Sequence, residues 1–162
     1  MRERPEYTGP FWEDFHEGQE FEHPGSRAVT QEYFDQQMVG KPYNNQPIHS
    51  NADFARREGY RDIVVPGPIV FDAIFQLTVK DLSFNARNKS GSFDNLSAVY
   101  VGDELRARSR VVKVAPWTGK TLANTHGAVF VETTGYNQED IPVILIKRLI
   151  ANPLRNPNSS SS

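Results

Sequence analysis

The amino-acid sequence predicts an α+β fold in which a curled antiparallel sheet wraps one long central helix. Two observations predict it. Ile69, Val70, Phe71, Ala73, Ile74, Phe75, Leu77, Val79 and Leu82 cover most of a helical circumference and leave only Asp72, Gln76 and Lys80 as a polar stripe. A helix apolar nearly all round has to be wrapped by something. The stretches that follow it, SFDNLSAVYV, GDELRARSRVVKVAPW, TLANTHGAVFVETTGYNQ and IPVILIKRLIANPL, are strand-like and separated by turns short enough to join antiparallel neighbours. A buried helix followed by a meander is an α+β layer arrangement.

The elements follow in order. Residues 1–10 carry alternating charges with Pro5 and Pro10 and read as a flexible tail; residues 11–154 form the domain; residues 155–162 end in prolines and serines that build no core. The segment EFEHPGSRAVT, 20–30, has strand composition broken by Pro24-Gly25. Thr30 offers an N-cap for a helix over 31–39, and a loop is expected over 40–50. Ser50 or Asn51 caps a short helix, NADFARRE, that stops at Gly59. Pro66-Gly67-Pro68 then punctuates the chain, with Pro68 suited to the first helical position of the central helix. Beyond it, Leu105, Ala107, Ser109, Val111 and Val114 approximate an alternation against Arg106, Arg108 and Arg110, the pattern of a sheet with one wet face.

Composition narrows the function classes. The 162 residues suit one domain that buries a core without staples. A net charge of -2 supplies no field for nucleic acid or an anionic membrane. Zero cysteines exclude disulfides and thiolate chemistry, which suits a reducing, cytoplasmic setting. The N-terminal residues lack the apolar core of a signal peptide, and no run approaches the roughly 20 apolar residues of a bilayer span. The four histidines show no metal-ligand spacing, so no metal is expected. TGKT at 118–121 is a turn rather than a phosphate loop, because Val114 stands where the first glycine belongs. No Ser-His-Asp order is recognisable along the chain.

Three local sequences, FWEDFHEGQEFEHPGSRAVT, PIHSNADFA and YVGDELRARSRV, in this order and spacing, resemble the MaoC-like, or (R)-specific enoyl-CoA hydratase, family with its hot-dog fold. Within it, TVKDLSFNARNKSG, VYVGDELRARS and TTGYNQEDIPVI look most like the first half of mesaconyl-CoA hydratases, also called β-methylmalyl-CoA dehydratases. The resemblance implies reversible addition of water to a 2-enoyl-CoA thioester, with CoA part of the substrate and no separate cofactor. It also implies a second hot-dog unit from another subunit, as a homodimer or a distinct partner.

Laid on the family's motif, Asn44 stands where a catalytic aspartate is implied, Gln46 at an asparagine, Pro47 and Ile48 in register, His49 at the catalytic histidine and Asn51 at a second acid. An asparagine accepts no proton but orients water; imidazole does the proton transfer such hydration needs. Asp94 or Asp53 is a substitute acid to consider. The Gly67 N–H, beside Pro66 at the start of the central helix, fits the family's oxyanion position, where amides lack partners and the dipole favours negative charge. For a dicarboxylyl substrate the candidate cations are Arg56, Arg57, Arg61 and Arg87, since guanidinium offers bidentate geometry. Two other readings stand beside hydration: an acyl-CoA-binding subunit with a degenerate site, and a hot-dog thioesterase.

Overall fold

The computed structural model describes residues 7–157. Pro24-Gly25 splits the first strand into β1 (Glu20–Glu22) and β2 (Arg27–Ala28), which pair antiparallel with different parts of one long strand, Glu104–Pro116. Thr30 Oγ1 then accepts from the Tyr33 N–H at 3.0 Å and starts α1 (Gln31–Met38), as its cap position predicts.

The stretch expected as a loop over 40–50 is more ordered than that. Pro42 opens a 3-10 turn, Pro42–Asn45, and Pro47 opens the one-turn helix α2 (Pro47–Ser50). A proline loses nothing at a first helical position, where its missing N–H has no helical acceptor anyway. Asn51 Oδ1 accepts from the Phe54 N–H at 3.0 Å and caps α3 (Ala52–Arg57).

The central helix, α4 (Gly67–Leu82), begins one residue before Pro68. Asp72, Gln76 and Lys80 are exposed along it, whereas Ile69, Val70, Ala73, Ile74, Thr78 and Leu82 are buried. Four strands follow: β3 (Arg87–Asn95), β4 (Glu104–Pro116), β5 (His126–Tyr136) and β6 (Pro142–Pro153). The sheet order is β1-β4-β5-β6-β3, with β2 also on β4.

The core lies between α4 and the inner sheet face, where Leu105, Ala107, Val111, Val129, Val131, Ile144, Ile146 and Ile150 are buried. Each large aliphatic side chain there contributes roughly 1.5–3 kcal/mol of burial. Gly135 on β5 allows the helix to come this close: a Cβ there would stand 2.6 Å from Ile74 Cγ1.

Two strand expectations need correction. The alternation in β4 is only approximate because a bulge between Val111 and Lys113 leaves Val112 exposed and shifts the phase, so Val114 pairs with Val129. The strand expected over 92–101 runs earlier, over Arg87–Asn95, and the chain leaves the sheet after the Leu96 N–H donates to Val143 O. All nine residues of β3 are exposed, and an edge strand with so little cover carries no apolar alternation.

In the stretches expected as tails, Gly9 O accepts from Asn85 Nδ2 at 2.7 Å and the Arg155 N–H donates to Glu13 Oε2 at 3.0 Å. Residues 1–6 and 158–162 lie outside the described residues.

Candidate functional site

A cavity of about 410 Å³ opens where α2, the start of α4 and the end of β3 meet. His49 and Gly67 both line it, so the structure brings together two residues that the sequence separates by the helix α3. Asn95, Ser97 and Tyr60 line it as well.

Each side chain is held for a local reason. Pro47 starts the single turn that carries His49, whose backbone N–H donates to Gln46 O at 3.0 Å. The ring Nδ1 lies 2.6 Å from Val64 O. A carbonyl only accepts, so Nδ1 carries the hydrogen and Nε2 is the ring's acceptor. The same strap is closed by the Val64 N–H donating to Ile48 O at 2.9 Å. His49 is therefore fixed in the tautomer of a general base.

At the start of α4, buried Pro66 accepts from the N–H groups of Ile69 and Val70, at 3.0 and 3.2 Å. Pro68 has no N–H, which leaves that of Gly67 as the helix-start amide with no described acceptor. Glycine is also required sterically, because a Cβ at position 67 would stand 2.7 Å from Asn95 Nδ2. An amide N–H, a side-chain amide and an imidazole acceptor thus share one small cavity. That set can polarise a carbonyl oxygen and move a proton beside it.

The remaining candidates are placed elsewhere. The Asn44 backbone sits in the 3-10 turn before Gln46, and its side chain lies outside the described part of the structure. Gln46 is exposed and caps α2 through its backbone. Arg61 lies 4.4 Å over the Tyr100 ring and 3.7 Å from Asp103 Oδ1, outside the cavity lining. Arg87 opens β3, at the opposite end from Asn95. Arg56 pairs with Asp53 at 3.5 Å, and Arg57 lies near the Phe54 ring. Asp94 alternates with Phe93 and Asn95 and so faces the other side of the sheet. Among the described residues, no carboxylate lines the cavity, and no group of histidines, aspartates and glutamates could hold a metal.

Sequence order offered no Ser-His-Asp triad, yet the fold builds such a chain in space. His23 Nδ1 lies 2.7 Å from Asp81 Oδ2, and Nε2 lies 2.7 Å from Ser109 Oγ. Ser109 also shares its hydroxyl with Thr133 Oγ1 at 2.7 Å. With His23 and Ser109 only 3% and 4% exposed, this chain braces the core under β4 and β5 rather than presenting a nucleophile. Burial pulls the His23 pKa below its usual 6.5 despite the opposing pull of Asp81.

A helix wrapped by an antiparallel sheet, with a histidine strap facing the helix start, defines the chain as a MaoC-like hot-dog domain. It belongs to the mesaconyl-CoA hydratase family, whose model matches residues 2–160. The β-methylmalyl-CoA dehydratase of Chloroflexus aurantiacus is 31% identical over 155 residues, covering 93% of this chain and 42% of that protein. The crystal structure of a MaoC domain protein dehydratase from the same organism superposes with a TM-score of 0.81 at 27% identity, covering 98% of this chain and 44% of the other. A double-hotdog protein of Mycobacterium tuberculosis gives a TM-score of 0.72 at 19% identity, over 95% of this chain and 47% of the other. The chain thus spans less than half the length of these relatives. No helix of the described residues is long and apolar enough to cross a membrane.

Proposed function

We propose that this domain hydrates a 2-enoyl-CoA, or dehydrates the matching 3-hydroxyacyl-CoA, in an assembly of two hot-dog units. A C4 or C5 dicarboxylyl thioester such as mesaconyl-CoA is the substrate in this reading. The observation that carries it is the His49 tautomer: Val64 O holds Nδ1–H, so Nε2 is the acceptor in a cavity shared with the Gly67 amide. In the hydration direction, Nε2 takes a proton from water as the oxygen bonds to C3. The C2=C3 electrons move onto the thioester oxygen, which the Gly67 N–H stabilises, and C2 then takes the proton back from Nε2, which restores the thioester and the neutral imidazole. Asn44, at the motif's acid position, orients the water in this scheme and transfers no proton.

A second reading has its own observation: the described cavity lining contains no carboxylate. A domain built that way holds an acyl-CoA while a partner subunit supplies the acid.

Purified protein mixed with crotonyl-CoA or mesaconyl-CoA, followed by the enoyl absorbance, separates the two. Hydration supports the first reading. Inert protein that still binds mesaconyl-CoA supports the second, and release of free CoA would mean a thioesterase. Absence of both binding and turnover would reject all three. Converting Asn44→Asp is expected to raise hydration, by up to about 10²-fold if a proton acceptor is the missing group.

A further inference from the structure

Arg148 is a buried cation that the core answers on one side only. Its place on β6 alternates with Ile144, Ile146 and Ile150, so the guanidinium enters the apolar layer beneath α4, 4% exposed. Nη1 donates to Thr78 Oγ1 at 2.8 Å, and the group lies 4.6 Å from the Phe75 ring centre. No described group accepts from Nε or Nη2. Those two N–H groups form one edge of the guanidinium, the side-by-side fork that takes both oxygens of a carboxylate. A buried cation with an empty fork is costly unless something answers it.

A cavity lies beside the group, and a rotation of the side chain would bring into it the fork, which has almost no accessible surface of its own. This cavity, of about 310 Å³, lies between α4 and β3, walled by Phe71 and Phe75 and lined by Arg148, Lys89 and Ser90. Gly91 is paired directly opposite Arg148, and its missing side chain leaves the guanidinium stem uncovered from that strand. A bulge between Asn88 and Ser90 frees Lys89 from the ladder, adding a second cation at the rim. The lining holds two cations and, among the described residues, no acid. Desolvation alone lowers the Arg148 pKa, to about 10, so the group stays charged at neutral pH.

We infer that this cavity is a carboxylate-binding site, in which the Nε and Nη2 edge of Arg148 grips a small organic acid whose apolar part packs on Phe71 and Phe75. An aromatic-walled pocket with one fork fits a monovalent carboxylate attached to carbon better than a heavily hydrated phosphate. The carboxylate has two possible sources. It is either a free organic acid or the far end of an acyl thioester, since Phe71 and Phe75 follow Gly67 at one and two turns on the same helix face, up to about 12 Å along the axis. The site itself does not depend on the hydration reading.

Calorimetric titration of the full chain tests it, with mesaconate, butyrate and inorganic phosphate as free probes and mesaconyl-CoA against crotonyl-CoA as thioesters. The expected result is carboxylate binding over phosphate, or mesaconyl-CoA over crotonyl-CoA. The first pattern identifies a free acid and the second an acyl terminus. In Arg148→Lys, which keeps the charge and loses the fork, that binding should weaken at least about tenfold. In Arg148→Met it should vanish, while the unliganded protein melts at or above the wild-type temperature, because an unanswered buried charge has gone. Should Arg148→Met fail to fold, the Arg148→Lys titration decides alone. The inference is overturned if no carboxylate binds, if binding is equal in the variants, or if either variant breaks an oligomer, which would mean that a partner's acid fills the fork. Binding is read without turnover, so a catalytically inert protein leaves the outcome intact.

Discussion

At the scale of single residues, the candidate site rests on two constraints of very different legibility. His49 and Gly67 were readable because each sits in a short local pattern, PIHSNADFA and Pro66-Gly67-Pro68, that prescribes its own backbone. Asn95 was not readable, because it comes against Gly67 only through the pairing of β3 with β6, where it lies opposite Ile144. Nothing local in FDNLS marks it. The two constraints give separable predictions. His49→Gln removes the imidazole that Val64 O orients, so under the proposed hydration kcat should fall about 10²- to 10⁴-fold with little change in melting temperature. An unchanged kcat would remove His49 from the chemistry. Gly67→Ala acts differently, since its Cβ would press on Asn95 at the cavity wall. Mesaconyl-CoA binding should weaken in that variant, by about tenfold or more on the scale of a lost polar contact. Equal affinity would show that the helix start takes no part. Arg148 was legible in principle, because it occupies an inward position between Ile146 and Ile150 in ILIKRLI. A cation at that phase is a signal that composition and net charge conceal.

At the scale of elements, the helices were readable and the edge of the sheet was not. Thr30 and Asn51 are caps whose side chains accept from Tyr33 and Phe54 N–H groups, a relation confined to three residues. β3 has no such signature, since RNKSGS is strand only because β6 supplies a ladder for it to join. The α4–β5 contact is equally non-local and depends on Gly135. Gly135→Ala should overpack Ile74 and destabilise the fold by about 1–3 kcal/mol in chemical denaturation. No loss would mean that helix and sheet separate more easily than their packing implies. The brace from Asp81 on α4 through His23 to Ser109 and Thr133 makes stability depend on pH. Burial holds the His23 pKa below 6.5 in the folded chain. As pH falls through 6.5 the unfolded chain takes up the proton first, so stability is lost with acid between there and the lower folded value, and is fully present above about pH 7. Denaturation midpoints should therefore drop between about pH 7 and 5.5, and His23→Gln should flatten that slope. A slope unchanged in the variant would assign the effect to another group.

At the scale of the whole molecule, a single copy leaves too much of its helix and sheet edge uncovered. All nine residues of β3 are exposed at the end of the sheet, and Phe71 and Phe75 on α4 stay only half-buried, with Phe93 exposed beside Phe71 at 5.2 Å between ring centres. A sheet edge with unpaired N–H and C=O groups next to aromatic rings is a surface that proteins cover. A second copy of the chain is the cover that can be tested directly. If the second copy is the cover, the isolated chain should sediment as a dimer, and its melting temperature should rise with concentration, because association stabilises only the folded state. Over about a hundredfold range of concentration an obligate dimer gains roughly 2.7 kcal/mol of apparent stability per mole of dimer, enough to move the transition by several degrees. Phe93→Lys, on the exposed strand beside Phe71, should shift that population toward monomer and remove the concentration dependence. A monomer whose melting is independent of concentration would exclude self-association as the cover. Under that outcome, an acid for the His49 cavity, whose described lining holds none, would have to come from outside the described residues.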